Sequence, residues 1–230
     1  MTTPGRRSTG LAARIAARIV VEDVRPTVSD GRYPARAVVG EHLPVSATVW
    51  REGHDVIAAR VVWRPPGDGR TRYGDMVLAE TGMDLFSGVF LPDAVGQWCF
   101  RVEAWSDPWA TWLRKMTANI VACRCPDELA NDFEDGARLL ERVAYRPDRS
   151  AERDLLLDAA VRLRDHYLLP RERMAGAVAR PVADVLREHP VREHVTSSRS
   201  YAVWVDPPRA AAGAWYEMFP RSTGGVDANG

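Results

Sequence analysis

The chain has 230 residues and a mass of 25.6 kDa, enough to bury one generous core or two modest ones. Its formal net charge is +0 and its pI about 7.0, which leaves no bulk electrostatic attraction toward nucleic acid or a membrane surface. Hydrophobic residues make up 46% and charged residues 27%, the balance of an ordinary soluble globular protein.

Residues 1–18 read as a flexible basic tail. Arg6-Arg7 suggests a twin-arginine signal, but Arg14 and Arg18 interrupt the apolar run that a signal peptide needs. No stretch approaches the ~20 apolar residues of a membrane span. The first strand is expected at 19–24 (IVVEDV), closed by Pro26, with turns at Ser29-Asp30-Gly31 and Gly40-Glu41. Two alternating runs follow, 44–52 (PVSATVWRE) and 56–64 (VIAARVVWR), with Gly53-His54-Asp55 between them as a hairpin connection. PPGDG (65–69) is a loop, and short strands are expected at 72–79 and 85–91.

The stretch 97–112 (QWCFRVEAWSDPWATW) is the pivot of the sequence. Trp98, Phe100, Val102 and Ala104 alternate with Gln97, Arg101 and Glu103, the period of a half-buried strand. Asp107-Pro108 then forces a turn, and Trp105, Trp109 and Trp112 crowd the corner. These three tryptophans are candidates either for a structural corner or for stacking on the flat face of a sugar.

From Cys125-Pro126 the period lengthens. Leu129, Phe133, Gly136/Ala137, Leu140 and Val143/Ala144 form the apolar stripe of a helix with proline in its first turn. A second helix is expected after Ser150 as cap, with a stripe of Leu156, Ala159/Ala160, Leu163 and Tyr167. Pro170 opens a third helical pattern, which Pro181 divides into 171–179 and 182–188. Alternation returns at 201–206 (YAVWVD) and 213–220 (GAWYEMFP). The fold class expected from these patterns is β + α: an immunoglobulin-like β-sandwich over 19–122 and 198–213, with an inserted helical bundle at 123–197.

No catalytic, cofactor or metal site emerges. Cys123-x-Cys125 lacks a second ligand pair, and HPVREH (189–194) has one residue too many for H-x-x-E-H, with Pro190 spoiling the shared helix. The side chains of Glu22-Asp23 and Glu134-Asp135 diverge, as neighbours in sequence do. Cys99, Cys123 and Cys125 are an odd number with no disulfide framework, which fits a reducing cytoplasm.

Six blocks, in order, resemble the N-terminal part of the α-1,4-glucan:maltose-1-phosphate maltosyltransferases of the α-amylase clan. They are VRP (24–26), GRYPARA (31–37) with Gly40-Glu41, VSATVWREGHD (45–55), RVEAWSDPWATW (101–112), EDGARLLE (134–141) and AWYEMFPRS (214–222). The resemblance implies a sandwich with a helical insertion leading into a (β/α)8 barrel, whose first strand would lie in 214–230. It also implies retaining transfer of a maltosyl unit from maltose 1-phosphate to an α-1,4-glucan, by two carboxyls ~5–5.5 Å apart at the barrel's C-terminal face. No family catalytic residue has a counterpart in these 230 residues, so the chain alone is expected to be inactive. Homodimer contacts are implied for the sandwich and insertion, and Leu155/Leu156 and Leu168/Leu169 make the helical stripes broader than one face needs. A free-standing glucan-binding module, or another α-amylase-clan enzyme, is the alternative reading.

Overall fold

The computed structural model describes residues 18–212 apart from 68, 81 and 148–150. The barrel segment 214–230, the strand at 213–220, the cap at Ser150 and all but the last residue of the basic tail lie outside the described residues.

The described chain is a β + α fold, a nine-stranded mixed sheet and five α-helices. The strands are β1 (Val20–Arg25), β2 (Ala35–Val38), β3 (Leu43–Trp50), β4 (Ile57–Arg64), β5 (Arg72–Glu80), β6 (Leu85–Phe90), β7 (Gly96–Ser106), β8 (Glu193–Ser197) and β9 (Tyr201–Asp206). Their order is β1-β3-β6-β5-β4-β7-β9-β2, with β8 beside β9 on the same flank of β7. All pairs are antiparallel except β2–β9.

The expected hairpin at Gly53-His54-Asp55 does not form. β3 pairs with β1 and β6, whereas β4 pairs with β5 and β7, so the connection crosses between two arms of the sheet. The arms are continuous through β5. Residues from Arg72 to Met76 pair with β4, while Val77, Leu78 and Glu80 pair with β6. The sheet curls about that strand, and one apolar cluster fills the concavity: Val45, Val49 and Phe90 from one arm, Val61, Trp98 and Phe100 from the other. Period-two alternation puts these residues on one face, and Phe90 touches Trp63 and Trp98 at centroid distances of 5.4 and 5.3 Å.

The helices are α1 (Pro108–Val121), α2 (Ala130–Ala144), α3 (Arg153–Arg164), α4 (Pro170–Ala177) and α5 (Arg180–Glu188). They build a second, separate core from Trp112, Phe133, Leu140, Leu156, Leu163 and Leu186, among others. α1 falls where the strand pattern suggests only a turn and an aromatic corner. Tyr167 does not extend the stripe of α3. That helix ends at Arg164, and Tyr167 is 90% exposed. Glu193–Ser197, inside the stretch read as helical, is a strand held by β7.

In a chain with one lysine, arginine caps the helix ends. Arg153 Nε donates to the carbonyl of Ala144, the last residue of α2, at 3.2 Å. Arg173 Nε donates to Leu163 O near the end of α3 at 2.7 Å, with its guanidinium 3.5 Å from the Phe133 ring centroid. Both satisfy carbonyls that helix geometry leaves without partners. Burial lowers the Arg173 pKa, and Asp165 opposes that shift. Among the described residues no helix is long and apolar enough to cross a membrane.

Arg164 of α3 ties that helix to α2. Its Nε lies 2.7 Å from Glu134 Oε2 and its Nη2 3.1 Å from Glu141 Oε2, while Arg138 holds Glu134 at 2.8 Å. The Arg164 hydrogen bonds, with help from Arg138, bring the Glu134 carboxyl down to about 2 against the opposing effect of burial. A depressed carboxyl stabilises the fold fully above its unfolded pKa, ~4.3, and loses that contribution as pH falls toward the folded value. Thermal unfolding of Glu134→Gln should therefore differ most from the parent chain above pH 5, with the gap closing toward pH 2. A constant gap across that range would mean that the ion pair contributes nothing.

Candidate functional site

The three candidate tryptophans lie where β7 becomes α1, Trp105 at the end of the strand and Trp109 and Trp112 in the helix. Asp107 caps the helix, its carboxylate accepting from Ala110 N–H at 2.9 Å, and Pro108 occupies the first turn, where no N–H is needed. Burial raises the Asp107 carboxyl pKa, opposed by its hydrogen bonds from the backbone of Ala110 and Trp109. A ring of hydrogen bonds fixes the corner to the start of β4. Asp107 N–H donates to Val56 O (2.8 Å), Val56 N–H to Thr111 Oγ1 (2.8 Å), and the Thr111 hydroxyl back to Asp107 O (2.8 Å). Arg51 reinforces the clasp, bonding Ser106 Oγ and pairing with Asp55 at 2.8 Å.

All three candidate tryptophans are buried: Trp105 at 3%, Trp109 at 9% and Trp112 at 6% exposure. Trp109 and Trp112 stack on each other with centroids 4.6 Å apart and join the helical core. Trp112 Nε1 donates to Asp132 O at 2.5 Å, and Asp132 also takes Lys115 Nζ at 2.6 Å and Asn119 Nδ2 at 3.2 Å, so α1 is fastened to the first turn of α2. A further face of Trp112 lies against Gly136. A Cβ at position 136 would fall 2.1 Å from Cζ2 and 2.3 Å from Cε2 of that ring. Trp105 stands apart and belongs to neither apolar cluster. Arg192 and Arg60 stack over its ring at 4.5 and 5.9 Å, and its buried Nε1 has no hydrogen-bond partner among the described residues.

Two clefts open among the described residues. One, of about 820 Å³, runs between β1 and the β8–β9 connection, lined by Arg25, Asp30, Ser198, Arg199 and Tyr201 among others. The other, of about 460 Å³, lies beside the corner, with Asp55, Thr111, Lys115, Asp132, Arg142 and Glu193 at its wall. Three carboxylates of this second cleft are held by cations: Asp55 by Arg51, Asp132 by Lys115, and Glu193 by Arg142 at 2.5 Å. Among the described residues no group of three or more His, Cys, Asp or Glu side chains is arranged to hold a metal ion. Cys123 and Cys125 are exposed free thiols just past α1, and Cys99 is a half-buried one on β7.

What sequence reasoning missed was the helix itself. Trp109, Trp112 and Met116 sit at helical spacing behind an Asp-Pro pair, and all three are buried. That is an N-terminal signal as clear as the one at Cys125-Pro126.

Comparison with known proteins agrees with the order of the motifs. A family described as "Alpha-1,4-glucan:maltose-1-phosphate maltosyltransferase, domain N/S" matches residues 17–207. A protein of Mycolicibacterium smegmatis named alpha-1,4-glucan:maltose-1-phosphate maltosyltransferase is 46% identical over 94% of this chain and 34% of its own length. One of the same name from Mycobacterium tuberculosis is 42% identical over 94% of this chain and 34% of its own. A Streptomyces coelicolor protein, alpha-1,4-glucan:maltose-1-phosphate maltosyltransferase 2, is 42% identical over 90% and 30%. The chain thus spans about a third of the length of the curated relatives it matches.

The Trp112–Gly136 contact carries its own test. In a helix interior, Gly→Ala ordinarily stabilises by ~0.5–1 kcal/mol. Here Gly136→Ala should instead destabilise, by about 1–3 kcal/mol from overpacking. In a Trp112→Leu background the penalty should vanish, so a double-mutant cycle by denaturant unfolding should return a coupling well above ~0.5 kcal/mol.

Proposed function

The chain belongs to the α-1,4-glucan:maltose-1-phosphate maltosyltransferase family, and on that footing we propose that it is the N-terminal scaffold and dimerisation region of an enzyme that elongates α-1,4-glucans from maltose 1-phosphate. The observation that carries this reading is the family match over 17–207, which takes in the curled sheet, all five helices and the two strands that follow them. The reaction is retaining glycosyl transfer, and its two carboxyls belong to a (β/α)8 barrel that begins within 214–230. The sheet, β1 to β7 with β8 and β9, is an immunoglobulin-like sandwich, and the five helices between β7 and β8 are the insertion. The two arms, packed face to face on one apolar cluster, support the sandwich. Maltose 1-phosphate and α-1,4-glucan are partners of the whole enzyme, which works in a reducing cytoplasm suited to three free cysteines.

In this reading the tryptophans are structural. Trp112 is covered by Trp109 and Gly136, and Trp105 by Arg192, so neither ring offers a free platform to a sugar. Glu134 and Glu141 of the helical bundle are held by arginine rather than poised as acid and base.

Incubated with maltose 1-phosphate and a malto-oligosaccharide, the purified chain should release no phosphate. A chimera in which its residues 17–207 replace the matching segment of the Mycolicibacterium smegmatis protein should release it at a rate within about tenfold of that protein. Phosphate release by the isolated chain, or a folded but inactive chimera, would overturn the assignment.

Dimerisation has separate support in exposed apolar side chains, Leu155 and Val161 on α3 and Leu169 just before α4. Sedimentation at micromolar concentration should give a dimer, and Leu155→Asp with Leu169→Asp a monomer. A monomeric parent chain, or a dimer indifferent to both changes, would contradict the placement of that contact.

A further inference from the structure

The outward face of β4, β5 and β7 gathers more positive charge than it neutralises. Arg60 on β4 and Arg101 on β7 hold the two oxygens of Glu103, at 2.5 and 2.6 Å. Arg192, just before β8, comes within 3.9 Å of the oxygen that Arg60 holds. Three guanidiniums surround one carboxylate, and Asp75, opposite Arg60 on β5, adds a second carboxylate to that face, which leaves +3 − 2 = +1 in a chain whose formal net charge is +0. Glu103 is 8% exposed. Burial would raise its pKa, but the hydrogen bonds from Arg60 and Arg101 outweigh burial and hold it below the usual carboxylate range. Its single negative charge is therefore fixed, and it is shared among three cations.

Arg192 is the least satisfied of the three. Its planar group lies on the Trp105 ring at 4.5 Å, and it makes no hydrogen bond to any described residue. Burial lowers its pKa and the neighbouring Arg60 adds to the effect, with Glu103 opposing. Arginine does not give up its proton in a protein, so the excess charge cannot be relieved by titration. A half-buried cation with unused donors is relieved by an anion from outside. Arg60 is braced from both sides, by Glu103 and by the ring of Tyr73 at 4.7 Å, and Tyr73 is half exposed at the rim.

We propose that Arg192 and Arg101, with Arg60 behind them, form a binding site for a phosphate group, carried either as inorganic phosphate or as a phosphomonoester. A phosphate near pH 7.5 carries ~−1.5 to −2 and offers three strong acceptor oxygens, so it can take donors from Arg192 and Arg101 together. The guanidinium fork suits two phosphate oxygens, and stacking on Trp105 presets the Arg192 plane. Glu103 acts as a positioning residue, orienting Arg60 and Arg101 without touching the ligand. The site stands on these side chains alone and is independent of the reaction assigned above.

Isothermal titration of the whole chain with inorganic phosphate and, separately, with glucose 1-phosphate, both against chloride at matched ionic strength, decides it. At least one titrant should bind saturably, and which one does identifies the source of the group. Arg192→Gln should weaken binding at least tenfold and Arg192→Lys by less, because lysine keeps the charge and loses the fork. Arg36→Gln, which removes a surface pair with Asp206 on β2 and β9, should leave binding unchanged. Heats no larger than those of chloride, equal affinity in the folded Arg192→Gln chain, or binding of a poly-glutamate peptide with none of phosphate would each overturn the proposal.

Discussion

The structure depends on how a strand becomes a helix at Ser106-Asp107-Pro108. β7 is buried on both faces along its last residues, so the chain cannot leave it without supplying partners for the backbone it exposes. Asp107 caps α1 with its side chain while its own N–H and C=O close a ring through Val56 and Thr111. Pro108 removes the one donor that would have been left over. Because Val56 leads into β4, the same bonds that begin the helix also anchor β4 beside β7. The two apolar cores are otherwise separate. The chain leaves the sheet at this corner and rejoins it at β8, which lies antiparallel to β7.

The distribution of arginine follows from that division. With a single lysine, nearly every cationic contact is made by a planar fork, and such forks serve three tasks here. They cap helix ends, as Arg153 and Arg173 do. They tie helices together, as Arg164 does by taking two carboxylates of α2. They also cover aromatic rings at the junction, where Arg192 and Arg60 lie over Trp105. The first satisfies helix-end carbonyls, and the second is neutralised locally by carboxylates. The third is not, and it lies on the outward face of the sheet beside the only candidate tryptophan outside both cores.

Much of this was legible in the sequence where local chemistry decides. The alternation of Val45, Ala47 and Val49, or of Trp98, Phe100 and Val102, fixes which face of a strand is buried, and the structure buries those residues. The stripe from Leu129 to Ala144 and the division at Pro181 likewise yield α2 and α5. The failures have physical causes. β3 and β4 look like a hairpin because their connection is short and contains Gly53, but strand partners are set by contacts distant in sequence, and Val61 is needed against Val102. β8 (EHVTS) has no buried face to advertise and exists because β7 offers it an edge. The Trp112–Gly136 contact joins residues on two helices and has no local signature. The corner itself was visible as a cluster of tryptophans, yet their spacing also fits a helix, and the helical reading prevails. Function was legible only through the order of family motifs, because no pair of side chains in the sequence announces the chemistry.

The central claim is that the corner makes sheet and helices one cooperative unit despite their separate cores. Native-state hydrogen exchange in increasing guanidinium measures this most directly. Amides of Val102 and Ala104 in β7 and of Phe133 and Leu140 in α2 should reach the same opening free energy with the same denaturant dependence. Helical amides that exchange through a lower-energy opening, while β7 stays protected, would contradict it.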